Sequence, residues 1–106
     1  MTVKVPAEYT DYVRAGRCVE SSLGCEFPSY MVLWPLDKLD EFNSDYEVPQ
    51  YAPGFRCFGS NGAGELLAFD EQDAVVCLPA IGMEPKNAVL VAHSWNEFVR
   101  FIEDAV

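Results

Sequence analysis

The second half of the chain places four apolar runs so close together that they predict antiparallel strands. RCFG and GELLAFD lie on either side of a turn at Asn61 and Gly62, and AVVCLPA (74–80) and AVLVAH (88–93) follow after short connections. Parallel neighbours need a crossover of about a dozen residues or more, usually a helix, which these connections are too short to contain. Asn-Gly is typical of a hairpin turn because both residue types tolerate positive φ.

An amphipathic helix is predicted to follow the last of these runs. Ser94 and Glu97 have the spacing of a capping box, in which the serine accepts a hydrogen bond from a helical amide and the glutamate reaches back. The apolar residues that follow recur at helical spacing. They are Trp95, Phe98, Val99 and Ile102.

The first helix of the chain is predicted over residues 6–15. Pro6 suits the first helical position, where its missing N–H costs nothing, and Gly16 can adopt the conformation that ends a helix. Residues 17–28 carry no periodic apolar pattern and are expected to form a loop.

A strand and a second helix are predicted next. YMVLW (30–34) is an apolar run of strand length between two prolines, and we expect both of its faces to be covered. The helix is expected over roughly 35–43, and residues 44–54 form a connection rich in proline and tyrosine. In this helix Leu36, Leu39 and Phe42 or Asn43 point inward, whereas Asp37, Asp40 and Glu41 point outward.

This order of elements predicts an α+β fold for a single domain over residues 1–106. We expect a mainly antiparallel sheet of about five strands, or a mixed one, flanked by three helices. No apolar run approaches the ~18 residues of a membrane-spanning helix. The first residues lack the apolar segment of a secretory signal, so we expect a cytoplasmic protein.

Charge restricts the class of partner. Seventeen acidic and seven basic residues give a net charge of −10, and residues 37–73 hold nine of the acids but two of the bases. This charge disfavours direct binding to nucleic acid or to an anionic membrane, and it attracts a cationic protein. Solubility alone is the alternative explanation.

The cysteines and the single histidine do not have the spacing of a metal site. Cys18, Cys25, Cys57, Cys77 and His93 lack the close pairs of a structural zinc centre, so no metal is expected. We expect reduced thiols, with Cys57 and Cys77 acting as small buried hydrophobic residues.

Other patterns that could carry chemistry have simpler explanations. The glycine-rich stretch 59–64 lacks the Lys-Ser/Thr pair of a P-loop and leads into a strand, which favours a hairpin over a phosphate site. His93 precedes a helix cap and has no evident orienting acid, so we expect it to pack on Phe98 rather than to catalyse a reaction. The following acids predict a solvated turn rather than a cation site: Asp70, Glu71 and Asp73. Binding without a cofactor is therefore favoured over an enzymatic or small-ligand role.

Seven short motifs stand in a definite order between Pro6 and Ile102. They are the Pro-x-x-Tyr start of the first helix, LWPL, Asn43 with Tyr46, Pro53-Gly54, GSNGAGE followed by Asp70, Pro79 with Gly82, and the final Ser-x-x-Glu-Phe helix. In this order they resemble the SUKH superfamily, the group around the yeast Smi-one/Knr-four proteins. The resemblance implies an α+β fold with a largely antiparallel sheet and no shared catalytic residues.

The resemblance also implies a role in protein binding. Many bacterial members look like immunity proteins that neutralise a toxin, often a nuclease, whereas the yeast members are interaction scaffolds. Our leading hypothesis is an immunity protein that binds a basic toxin domain as a monomer or weak dimer, and the alternative is a scaffold for a non-toxin protein. The expected contact residues combine carboxylates with two aromatic anchors. They are Asp37, Asp40, Glu41, Asp45, Tyr46, Glu47 and Tyr51. In the alternative interpretation, the acids only solvate the surface and the tyrosines only cover the sheet.

Overall fold

Six strands lie side by side in the order in which they occur in the chain, and every neighbouring pair is antiparallel. The computed structural model describes residues 4–105. The strands are β1 (Glu20–Ser22), β2 (Tyr30–Leu33), β3 (Arg56–Ser60), β4 (Glu65–Phe69), β5 (Val75–Pro79) and β6 (Val89–Ala92). The predicted α+β fold and the antiparallel pairing of the second half are confirmed.

The sheet has one strand more than the five expected, because β1 lies inside the predicted loop 17–28. Its three residues are polar and show no apolar alternation, so nothing local marks them as a strand. They become one by pairing with β2, where Ser21 lies opposite Met31. The backbone N–H of Leu33 also donates to the carbonyl oxygen of Val19, 2.8 Å away.

The structure has four α-helices rather than three. They are α1 (Ala7–Arg14), α2 (Leu39–Asp45), α3 (Val48–Tyr51) and α4 (Trp95–Asp104), and two 3-10 turns cover Leu36–Lys38 and Pro85–Asn87. The additional helix, α3, lies in the predicted connection 44–54. The helix predicted over 35–43 begins as the first 3-10 turn and continues as α2, with Leu39 and Asn43 buried and its acids exposed.

One face of the sheet carries an aromatic core under α1 and α4. The ring of Tyr9 lies 5.0 Å from that of Phe58, 5.4 Å from Phe69 and 4.9 Å from Trp95, between ring centroids. These distances are typical of edge-to-face and tilted aromatic pairs, which add to the stabilisation that burial alone provides. This core fixes α1 and α4 on the same side of the sheet.

The predicted helix α4 is confirmed, but only the serine half of the predicted capping box forms. The apolar stripe is buried, and Ser94 Oγ accepts a hydrogen bond from the backbone N–H of Glu97 at 3.1 Å. The Glu97 carboxylate lies 3.4 Å from Nδ1 of His93 rather than reaching back to the cap. The His93 side chain is 76% exposed, so the expected packing on the buried Phe98 is wrong: the imidazole turns toward this carboxylate instead.

The opposite face of the sheet carries a second core, made by β3, β4 and β5. α3 covers it through Val48, with Ala52 and Met83 beside it. Cys57 belongs to this core and Cys77 to the aromatic one, so both are buried as predicted. β2 contributes Met31 and Leu33 to the aromatic core alone. The second face of YMVLW is covered only in part: Trp34 packs against the second core, and Tyr30 and Val32 are half-buried.

The two predicted turns form with help from side chains. In the β3–β4 hairpin, Asn61 Oδ1 accepts hydrogen bonds from the backbone N–H groups of Ala63 and Glu65, at 2.9 and 3.1 Å. The connection spans residues 61–64 rather than two residues, and Gly62 and Gly64 take the positive φ values. After β4, Asp70 Oδ1 accepts from two backbone N–H groups and closes the predicted solvated turn. Within residues 4–105, no helix has the length and apolar character needed to cross a bilayer.

Candidate functional site

The seven residues predicted to contact a partner come from one continuous stretch of chain, which we call the acidic segment (residues 37–51). It runs from the first 3-10 turn through α2 to the end of α3. All seven side chains are exposed. The structure therefore makes each of them accessible. Asp40 and Glu47 line one concavity and Tyr46 and Tyr51 line another, whereas Asp37, Glu41 and Asp45 line neither.

A buried asparagine holds the acidic segment against the sheet. Asn43 is 4% exposed, and its Nδ2 donates to the carbonyl oxygens of Leu39 and Cys57, at 2.7 and 2.8 Å. Its Oδ1 accepts from the backbone N–H of Cys57 at 2.9 Å. Because these bonds satisfy the buried amide, they hold α2 with one side on β3 and its carboxylates toward solvent.

The α2–α3 junction turns sharply at Glu47. This residue has φ of 56° and ψ of 39°, the left-handed region, which costs a non-glycine residue about 1–2 kcal/mol. Burial of Val48 immediately after the turn offsets that cost. The turn allows Tyr46, at the end of α2, and Tyr51, at the end of α3, to line the same groove.

Two of the five carboxylates in the acidic segment have basic neighbours. Asp40 Oδ1 lies 2.5 Å from Nη2 of Arg56, and Glu41 lies 3.7 Å from Nζ of Lys38. Among the described residues, the other three form no ion pair: Asp37, Asp45 and Glu47. The uncompensated negative charge therefore lies at the two ends of α2 rather than along its length.

The first concavity, which we call the Arg56 hollow, brings two of the carboxylates together. It has a volume of about 420 Å³ and includes Asp40 and Glu47 in its wall, beside Arg56 and Asn43. The Arg56 side chain is 16% exposed, and the carboxylate of Asp40 already pairs with it. Much of the charge in this hollow is thus balanced within the protein.

The second concavity, which we call the tyrosine groove, combines the acidic segment with the β5–β6 connection. Its volume is about 360 Å³, and its lining consists of Tyr46, Tyr51, Ala80, Gly82, Met83 and Glu84. The ring of Tyr46 stacks on Trp34 with 5.8 Å between centroids and 3° between planes. Phe42 in turn packs edge-on against Trp34 at 5.0 Å. This stack holds one wall of the groove in place.

Sequence reasoning missed the contribution of the β5–β6 connection. Met83 is buried at the base of this connection, whereas Ile81 beside it is 94% exposed. Ile81 was the available signal in the sequence, because it is a large apolar residue in an otherwise turn-like segment. Exposed apolar residues can mark a binding surface where they form a patch. That Ala80, Gly82, Met83 and Glu84 of this connection line a groove with the two tyrosines could not be read from the sequence.

Two thiols in the cores under the sheet's helices have shifted pKa values. Burial raises the pKa of the Cys57 and Cys77 thiols to about 12, and both thiols lie within the cores. Over residues 4–105, no cluster of three or more histidine, cysteine or acidic side chains could hold a metal ion. The acidic segment and the tyrosine groove therefore offer exposed charge and aromatic surface, which suit binding of a cationic macromolecule.

A comparison with known families agrees with the resemblance read from the motifs. The family described as SMI1 / KNR4 (SUKH-1) matches residues 1–100. This range contains the acidic segment, the tyrosine groove and all six strands. Among curated proteins, no sequence matches this chain.

Proposed function

Because the chain belongs to the SMI1/KNR4 family (SUKH-1), we propose that it is a non-enzymatic binding domain that acts as an immunity protein. Its action is to bind a cognate toxin domain directly and block the toxin's working surface. The family includes toxin-immunity proteins, which supports this role. The observation that carries the proposal is the acidic segment, a charged and aromatic surface attached to the sheet through Asn43.

Charge complementarity explains why such a surface suits a nuclease-type toxin. A nuclease presents positive charge to the phosphates of its substrate. A protein of net charge −10 is attracted to that surface, and the attraction raises the rate of association. The unpaired carboxylates of Asp37, Asp45 and Glu47 can approach cations of the partner without first breaking an internal ion pair.

Aromatic side chains supply binding energy that exposed charges alone do not. Exposed ion pairs contribute about 0–1 kcal/mol each, so tight binding needs buried anchors near the centre of the interface. Tyr46 and Tyr51 are 43% and 49% exposed and stand at the edge of a concavity. They would bury this area against a partner, and the surrounding acids would form the polar rim of the interface.

A scaffold that binds a non-toxin protein is the alternative function. The same surface would serve any basic partner, and yeast members of the superfamily act in this way. The two functions differ in their consequence, because an immunity protein protects a cell that makes the toxin. A scaffold would bind an endogenous protein without conferring protection.

Co-expression with a nuclease-type toxin domain encoded next to the gene of this protein tests the proposal. We expect the wild-type protein to restore growth and to co-purify with the toxin domain. The double variant Asp45→Lys/Glu47→Lys should lose most of this protection. Its matched control is Glu8→Lys/Asp11→Lys, which makes the same change in net charge on α1, over the opposite face of the sheet from α3.

The outcome is read only from folded proteins, as judged by circular dichroism and thermal unfolding. Protection by the wild type and the α1 variant, with loss in the other variant, supports an immunity role through the acidic segment. A folded wild-type protein that neither binds nor protects rejects that role. Equal loss in both variants assigns the effect to net charge and rejects the acidic segment as the contact surface.

A further inference from the structure

The tyrosine groove contains three kinds of surface that together match one side chain. Its apolar parts are Ala80 and Met83, and the latter is 5% exposed. Its aromatic parts are the two rings, each about half exposed, Tyr46 and Tyr51. Its charged part is the carboxylate of Glu84. These surfaces complement an arginine side chain. Its apolar stem suits the apolar part, and its flat cationic head can stack on an aromatic ring and pair with a carboxylate.

The groove is held open by contacts around it rather than by its occupant. Tyr46 is fixed by stacking on Trp34, and Asn87 Nδ2 donates to the carbonyl oxygen of Gly82 at 2.9 Å. Gly82 has no atom within 4 Å of the position that a Cβ would occupy, so the loop leaves space there. Little rearrangement is needed for a side chain to enter, which lowers the cost of binding.

The carboxylate in the groove is available to a new partner. Glu84 lies 3.3 Å from Nζ of Lys86, and both side chains are more than half exposed. A pair this exposed contributes about 0–1 kcal/mol, so an incoming guanidinium can replace the ammonium at little cost. Asp45 directly precedes Tyr46 in the chain and adds negative charge near that residue.

The protein already contains an arginine that lies against an aromatic ring and near a carboxylate. The guanidinium carbon of Arg17 lies 4.6 Å from the ring centroid of Tyr12, and Nη2 of Arg17 lies 3.9 Å from a carboxylate oxygen of Glu103. There the arginine is supplied by the chain itself. In the tyrosine groove the rings and the carboxylate are present, and the basic side chain that pairs with this carboxylate, Lys86, is 78% exposed and does not line the groove.

We propose that the tyrosine groove receives an arginine side chain of the bound protein. This inference rests on the proposed function, because it assumes a basic protein partner. The guanidinium lies against Tyr51 or Tyr46 and donates hydrogen bonds to Glu84, while its methylene stem lies along Ala80. Arginine suits the groove better than lysine because its planar head stacks on an aromatic face and binds a carboxylate through two N–H groups.

Small blocked amino acids test the groove without the partner. In an NMR titration of the full chain, the probes are N-acetyl-arginine, N-acetyl-lysine and N-acetyl-leucine methylamides. We expect the arginine probe to shift the amide resonance of Gly82 and the ring resonances of Tyr51 in a saturable way. It should bind about two- to fivefold more tightly than either other probe, the range of an exposed cation–π contact.

Two variants and a control locate the binding. Tyr51→Leu keeps an apolar side chain but removes the π face, and Glu84→Gln removes the charge; each should reduce affinity for the arginine probe about two- to fivefold. Phe27→Leu, which changes another exposed aromatic residue outside the groove, should leave affinity unchanged.

Three results would overturn the inference. They are tighter binding of the leucine probe, equal binding of the lysine and arginine probes, and shifts spread over the carboxylates without saturation at Gly82. The co-expression experiment is independent of these measurements. Protection with no arginine binding removes only the groove proposal, whereas arginine binding without protection removes only the immunity role.

Discussion

The side chain of Asn43 pairs with the backbone of Cys57 as a neighbouring strand would. It donates to the carbonyl oxygen at 2.8 Å and accepts from the N–H at 2.9 Å. β2 pairs with β3 at Ser60 and Gly59 and does not extend to Cys57, and β3 is irregular between Cys57 and Gly59. Asn43 thus satisfies the two backbone groups that β2 leaves without a strand partner.

Removing this amide should weaken the whole fold. Asn43→Ala leaves the buried N–H and carbonyl oxygen of Cys57 unsatisfied, and we expect the free energy of unfolding in urea to fall by about 2–3 kcal/mol. Asn96→Ala makes the same deletion at an exposed position of α4 and should change it by less than about 0.5 kcal/mol. Equal effects of the two substitutions would contradict the role given to Asn43.

A side chain at Gly59 should force β2 and β3 apart. A Cβ there would lie 2.3 Å from the carbonyl oxygen of Val32, which is backbone and cannot rotate away. We expect Gly59→Ala to reduce the free energy of unfolding by about 3 kcal/mol. Gly16→Ala is the comparison, since Gly16 has open space but φ of 72°, and it should cost about 1–2 kcal/mol. A smaller loss at position 59 than at position 16 would show that the strands can separate freely.

Stability should fall in alkaline solution because the core thiols resist ionisation. Burial raises the pKa of both Cys57 and Cys77 from an ordinary 9.0 to about 12 in the folded protein. Below about pH 9 both states hold protonated thiols; between about 9 and 12 the unfolded chain ionises first, so the free energy of unfolding decreases. Unfolding in urea over this range measures the slope.

Removing the two thiols should flatten that slope. Cys57→Ala/Cys77→Ala lowers stability at all pH values because it leaves cavities, but its free energy of unfolding should change less between pH 9 and 12. Some slope remains, since burial also raises the pKa of Tyr9 above its ordinary value of 10.0. An unchanged slope in the double variant would exclude the thiols as its cause.

Association with the toxin domain should depend steeply on salt. Screening lengths near 10 Å at 0.1 M weaken attraction between exposed charges, so the association rate constant of the wild type should fall as ionic strength rises. Stopped-flow measurement should give a rate constant about tenfold lower for Asp45→Lys/Glu47→Lys at low salt, with a weaker salt dependence. Glu8→Lys/Asp11→Lys should change it much less. Identical salt dependence in all three proteins would argue against steering by the acidic segment.

Several elements could be predicted because the patterns that specify them are local. The short connections between apolar runs require β3 to β6 to pair in antiparallel order, and the stripe beginning at Trp95 specifies α4. β1 and α3 were not predicted because no local pattern specifies them. A strand of three polar residues and a helix of four form only where neighbours complete their hydrogen bonds or cover an apolar residue such as Val48.

For the candidate surface, the sequence by itself determined where the carboxylates and tyrosines are concentrated, because charge density along a chain needs no folding to exist. Only the tertiary structure decided which of them are free. It placed Arg56 against Asp40, and it brought Gly82 and Met83 beside Tyr46 and Tyr51. Such pairings join residues far apart in the chain. They depend on how α2 and α3 lie on the sheet, and local sequence patterns do not specify that arrangement.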